Sequence, residues 1–309
     1  MSHINPICEK WKLPRKVTEN EISSVDLPLH LKIILARRGF ISDDQIDCLI
    51  SEIELPDPYD HFPQLNKAIK RIEKAINLNE KIAICGDYDA DGITSSALLK
   101  LVFSSLSADH IVLIPNRLKD GYGLNNLMVE KMHKESVKLI ITVDNGVSAN
   151  SSLELAKKFD IDVILSDHHN INNDITNIHS LIHPETTPEN SPYKILAGVG
   201  LAFIISAILL KRYKKNNLIK NCLQLFCIGT IADMSPLKDA NRILLKRGLP
   251  TLSEDINKGL YSLIKSSGIK NRLVTPEDIS FKIAPRINSV GRISNPDIIL
   301  NLLSENNEN

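Results

Sequence analysis

Short apolar runs rich in β-branched residues recur through the middle of the chain, at residues 82–85, 111–114, 139–143 and 163–165. Each is separated from the next by a stretch that reads as a helix, the first of these covering residues 93–101. This alternation predicts an α/β fold with a mostly parallel sheet flanked by helices. Ahead of it, residues 27–40 and the following ISDDQIDCLI have helical character, with Ser42 or Asp43 placed to cap the second helix. Residues 55–63 carry three prolines and read as a linker, and residues 65–76 return to helical spacing. Beyond Pro184 the pattern is mostly helical, with long candidates at 196–213 and 218–232. The expected division is a helical amino-terminal segment and linker over 1–75 and an α/β domain with a helical extension over 76–309.

The polar positions that interrupt this pattern fall at strand ends. Asp87, Asp89 and Asp91 lie between the first strand and its helix, in GDYDADG. In extended backbone, residues two apart point to one side, so the loop gathers three carboxylates. Two carboxylates about 4 Å apart repel by roughly 4 kcal/mol at an effective dielectric near 20, which calls for a cation, and hard divalent ions favour oxygen ligands. Asp144 and Asn145 follow the third run; Asp167, His168 and His169 follow the fourth. Each alone reads more readily as a turn or loop, but strand ends of a doubly wound sheet converge on one edge, so their recurrence reverses that reading and predicts a single site. Asp233 closes the apolar stretch of a late helix, where an acid is commonly a cap. Arg286 and Arg292 flank Asn288 in a glycine-bearing stretch, 283–292, that reads as a loop; guanidinium forks match phosphate oxygens.

Composition narrows the setting. Of 309 residues 43% are hydrophobic, enough for real cores. Lys plus Arg and Asp plus Glu are both 37, so a polyanion must be met by a local patch rather than by overall charge. Five cysteines without a CxxC, no signal peptide and no membrane span point to a reducing cytoplasm.

The ordered motifs GDYDADGITS, IPNRLKDGYGLN, ITVDNG, SDHH, LAGVGLAF, GTIADMSPL and APRINSVGR resemble the DHH phosphoesterase family, and within it the RecJ-type single-strand-specific exonucleases. The resemblance implies a DHH domain with two divalent metals, Mn2+ or Mg2+. It also implies hydrolysis of single-stranded DNA from a 5′ end, in DNA repair and recombination. By position it implies metal ligation by Asp89 and Asp91, with Asp87 as a further ligand or support, and by Asp144 as the bridging carboxylate, His168 and Asp233. Catalytic roles fall to Asp144, His168 and His169, the last beside the scissile phosphate. Substrate contacts fall to Asn145, Arg286, Asn288 and Arg292. Relatives of this type continue into a DHHA1 domain and often an OB-fold, whereas this sequence stops at Asn309. The expectation is therefore reduced activity in the isolated chain and, as one candidate partner, a separately encoded DHHA1-type chain. Two other readings share the motifs: a hydrolase of small molecules or oligonucleotides, and a remnant or scaffold without turnover.

Overall fold

The computed structural model describes residues 14–50, 54–115, 123–172, 174–253, 257–269 and 273–304. The motif stretch at 116–122 lies outside them. By its internal contacts the chain divides into Met1–Glu54 and Leu55–Asn309. The first unit holds α1 (Leu29–Arg37) and α2 (Asp43–Ile50). Ser42 caps the second helix, its Oγ accepting from the Gln45 amide at 3.3 Å.

The second unit begins well before residue 76, because the proline-bearing stretch is part of its core rather than a free linker. Phe62 is buried, the Tyr193 hydroxyl donates to the Pro56 carbonyl, and Tyr59 receives a 2.9 Å bond from Arg212. Helix α3 (Leu65–Asn77) buries Leu65, Ala68, Ile69, Ile72 and Ala75, the apolar stripe its sequence spacing predicts.

The βα alternation follows: β1 (Lys81–Cys85), α4 (Ala90–Ser105), β2 (His110–Leu113), α5 (Asn126–Lys134), β3 (Val137–Val143), α6 (Asn150–Lys158), β4 (Asp162–Ser166) and β5 (Ser180–Ile182). The sheet order is β2-β1-β3-β4-β5, and every pairing is parallel. Alternate side chains along each strand feed opposite layers. Ile82, Ile84, Leu139, Ile141 and Ile164 pack with α3, α4 and the later helices, while Ala83, Cys85, Ile140, Val163 and Leu165 pack with α5 and α6. Then come α7 (Gly198–Arg212), α8 (Ile219–Ala232), α9 (Asp239–Gly248), α10 (Lys258–Ser266), a first turn α11 (Pro276–Asp278), a π-helical turn (Ile279–Ile283), α12 (Ala284–Ile293) and α13 (Asp297–Ser304). Among the described residues no helix is long and apolar enough to cross a membrane.

Candidate metal centre

The register lines up the chemistry. Cys85 pairs with Thr142, Thr142 with Leu165, and Leu165 with Leu181. Two residues beyond that row stand Asp87, Asp144, Asp167 and His183, which form one polar row across the carboxyl edge. Strand order reverses between β1 and β3, so Asp87 and Asp144 flank the switch point where open α/β sheets hold their ligands.

Local structure then aims each group. Asp89 is the N-cap of α4, accepting from the Gly92 amide at 3.0 Å. Asp91 therefore sits in the first turn of a helix rather than in an extended loop. Its buried carboxylate accepts the Gly198 and Val199 amides at 2.7 and 2.8 Å, so the positive end of α7 points at it. Only glycine fits at 198, because a Cβ there would stand 2.7 Å from the Asp144 Cβ and 3.0 Å from Asp91 Oδ2. Asp144 leaves β3 in a left-handed conformation, φ 62°, a strained backbone typical of functional turns. Asp144 Oδ1 lies 3.0 Å from His168 Nε2, and Asp91 Oδ2 lies 3.6 Å from the same nitrogen. Asp233, the C-cap of α8, receives a 2.6 Å bond from the Ser235 hydroxyl.

Asp167 was visible in the sequence only as part of SDHH, and its role is structural support. Its carboxylate accepts the amides of Val147, His168 and His169 at 3.0, 2.7 and 3.1 Å, and lies 2.8 Å from His169 Nδ1. His183, which sequence reasoning missed, backs the same loop. Its Nδ1 accepts the Glu185 amide, so its Nε2 carries the proton and donates to the His169 carbonyl at 2.8 Å.

Three ligand groups result. The ligand atoms of Asp87, Asp89 and Asp144 lie within 4.8 Å of one another, as do those of Asp91, His168 and Asp233, and those of Asp144, His168 and His169. Asp144 and His168 each belong to two groups. The electrostatics ask for cations: burial pushes the Asp87 carboxyl up to about 7, with Asp89 adding repulsion against the help of the Tyr88 amide. Burial also holds Asp91 and Asp144 well above the ordinary carboxylate range, reinforced by Asp233 and Asp89 for the first and by Asp91 and Asp89 for the second. Asp87 Oδ1 is buried with no hydrogen-bond partner among the described residues. Clustered oxygens with one or two imidazoles suit hard divalent ions such as Mn2+ or Mg2+, so the residues fit the metals the motifs imply. Burial lowers the His168 pKa, whereas the bond to Asp167 raises that of half-exposed His169.

The expected substrate contacts fare differently. Asn145 is wholly buried: its Nδ2 donates to the Cys85 and Val143 carbonyls at 3.0 and 2.9 Å, and its Oδ1 accepts the Leu124 amide at 3.1 Å. It ties β1 to β3 and to the loop before α5 instead of facing a ligand. The expected loop carrying Arg286, Asn288 and Arg292 is helix α12, because Pro285 in a first turn leaves a helix intact. Arg286 is exposed and bonds the Lys282 carbonyl. The Asn288 side chain accepts the Ala90 amide. Arg292 lies on α12, with its side chain outside the described residues.

A doubly wound parallel sheet with carboxylates and imidazoles gathered at its switch point defines an α/β domain built to hold divalent cations. Residues 81–230 match the DHH family, N-terminal domain, and the chain belongs to that family. It is 35% identical over 300 residues to the single-stranded-DNA-specific exonuclease RecJ of Bacillus subtilis (strain 168), covering 95% of this chain and 37% of the relative. With the RecJ of Escherichia coli (strain K12) it shares 32% over 301 residues, 94% of this chain and 52% of the relative. The chain thus spans about half or less of the length of these relatives. The crystal structure of exonuclease RecJ bound to manganese superposes with a TM-score of 0.71 at 31% identity, over 82% of this chain and 62% of that one.

Proposed function

We propose that the chain is a metal-dependent phosphodiesterase that removes nucleotides from the 5′ end of single-stranded DNA. The observation that carries this reading is the sharing of Asp144 and His168 between ligand groups at one sheet edge, an arrangement suited to two neighbouring cations. The names of the similar exonucleases support the substrate, and the motif resemblance supports the polarity. Asp87, Asp89 and Asp144 would hold one Mn2+ or Mg2+ ion, and Asp91, His168 and Asp233 the other. Bound there, such ions polarise phosphoryl oxygens and lower the pKa of water.

The side chains supply the rest. Asp144 of the first group lies 3.0 Å from His168 of the second and so stands between them, and the α7 amides keep Asp91 charged and oriented. His169 donates its Nδ1 proton to Asp167, a bond that raises the ring's pKa and so favours the charged form that would donate to a phosphate or a leaving oxygen. Arg286 and Arg292, on a helix that abuts the acidic loop, would serve as phosphate contacts. The test is digestion of a long single strand labelled at either end, with a dinucleotide as competitor substrate, in Mn2+ and in EDTA. Mn2+-dependent release from the 5′ label is expected. Cleavage of the dinucleotide alone, or full activity in EDTA, overturns the reading.

A further inference from the structure

Helix α12 touches the acidic loop through one face. Ala284, Ile287 and Gly291 on that face are buried, and Asn288 stands beside them at the same i, i+3, i+4, i+7 spacing. The π-helical turn before it inserts an extra residue into the helical repeat, which sets the rotational phase at which this face meets its neighbour. Two contacts result. Asn288 Oδ1 accepts the Ala90 amide at 2.7 Å across 198 residues of chain. Gly291 packs so tightly on the loop that a Cβ there would overlap the Tyr88 carbonyl oxygen.

Ala90 is the first residue of α4, and its amide is one of the donors that a helix leaves without an internal partner. Asp89, the N-cap, satisfies Gly92 with its own side chain, so the Ala90 donor is met from outside the helix. Ala90 is buried, which leaves water little access as a substitute. The residues on either side of it are Asp89 and Asp91, which belong to different ligand groups. A shift of this one amide moves both carboxylates relative to Asp144.

We propose that Asn288 is a positioning residue: by capping Ala90 from α12 it fixes the spacing between the two cation subsites, with Gly291 permitting the approach. Asn288 is then spent on the loop and is not a contact for the nucleic-acid strand. The role toward cations rests on the metal-dependent reading above; the cap itself does not.

The test uses the full chain and two readouts. Amide hydrogen exchange at Ala90 in EDTA reports the cap without metal, and calorimetric titration with Mn2+ reports the subsites. Asn288→Ala should accelerate exchange at Ala90 and weaken Mn2+ binding about tenfold, which corresponds to about 1.4 kcal/mol. Asn288→Asp keeps an acceptor oxygen at the same reach and should hold both values within about threefold of the parent. Should Asn288→Ala not yield folded protein, Asn288→Gln, whose acceptor lies one bond further out, takes its place. Unchanged exchange in the Ala or Gln variant, or an Asp variant that behaves like it, overturns the cap. Faster exchange with unchanged Mn2+ affinity overturns the positioning role. A parent chain that binds no Mn2+ refutes the functional reading while the exchange result still decides the cap.

Discussion

His169 Nδ1 lies 2.8 Å from Asp167 Oδ1, and the same oxygen accepts the His168 and His169 amides, so one buried carboxylate orients the His169 ring and holds the backbone of the histidine pair. The His169 pKa is raised, first by this bond and then against burial; that of Asp167 is lowered because these bonds together outweigh the burial that would raise it.

Asp167→Asn should therefore bring the His169 titration down, followed by NMR of the ring protons in metal-free protein. The sign of the stability effect follows from linkage. A raised histidine contributes below its unfolded value near 6.5 and loses that contribution as pH rises through the folded value. A depressed carboxylate contributes above its unfolded value near 3.9 and loses it as pH falls. The stability gap between parent and variant should be widest between about pH 4 and 6.5. An unmoved His169 titration refutes the pairing.

Asp87, Asp91 and Asp144 bind protons more tightly folded than unfolded. In EDTA the protein should lose stability as pH rises from about 4 to 7, the native state holding more protons in that window. Mn2+ should flatten the loss and add about 2.7 kcal/mol at a hundredfold excess over Kd. Thermal melts at pH 5 and 7.5, with and without metal, check this; a metal-free protein more stable at pH 7.5 contradicts it.

Asp144→Asn separates folding from function. Asn tolerates the left-handed backbone at this position and removes a charge held in a buried cluster. Metal-free stability should rise by about 1 kcal/mol, as at other destabilised functional sites, while the Mn2+-induced shift and hydrolysis disappear. Asp87→Ala should cost less activity than Asp144→Ala, since Asp87 belongs to one ligand group and Asp144 to two. Retained metal stabilisation in Asp144→Asn counts against the shared-ligand assignment.

Gly198→Ala inserts a methyl between Asp91 and Asp144. Overpacking of this kind costs about 1–3 kcal/mol, and it should also weaken Mn2+ binding, read by titration beside the melt. An unaffected Mn2+ affinity means the two carboxylates tolerate displacement.

Arg286→Gln should leave the melting temperature unchanged, because among the described residues the exposed guanidinium bonds the carbonyl of Lys282 on its own helical segment. Single-strand affinity should fall and its salt slope flatten by about one unit per lost phosphate contact. A lower melting temperature with the slope intact assigns the arginine to the fold.

The strands and their reactive ends were legible because β-rich apolar runs and chemically special residues alternate, and because in-register parallel pairing needs no further instruction to bring Asp87, Asp144 and Asp167 together. Three features were not. Strand β5 is three residues long after a polar stretch, so His183 carried no signal. The amides that hold Asp91 are backbone groups, announced only by Gly198. Pro285 and Gly291 imitate a loop, yet one is harmless in a first turn and the other answers a close approach by Tyr88. Asn145 misled for a related reason: a polar residue at a strand end serves the backbone as readily as a ligand.

The candidate ligands run from Asp87 to Asp233, and α8 delivers the last of them after the entire sheet. A chain emerging from the ribosome acquires its acidic loop early but can close the second subsite only after α8 has been made. During synthesis the candidate cation centre thus stays open by its own topology, and full cation capture becomes a signal that the chain through α8 has folded.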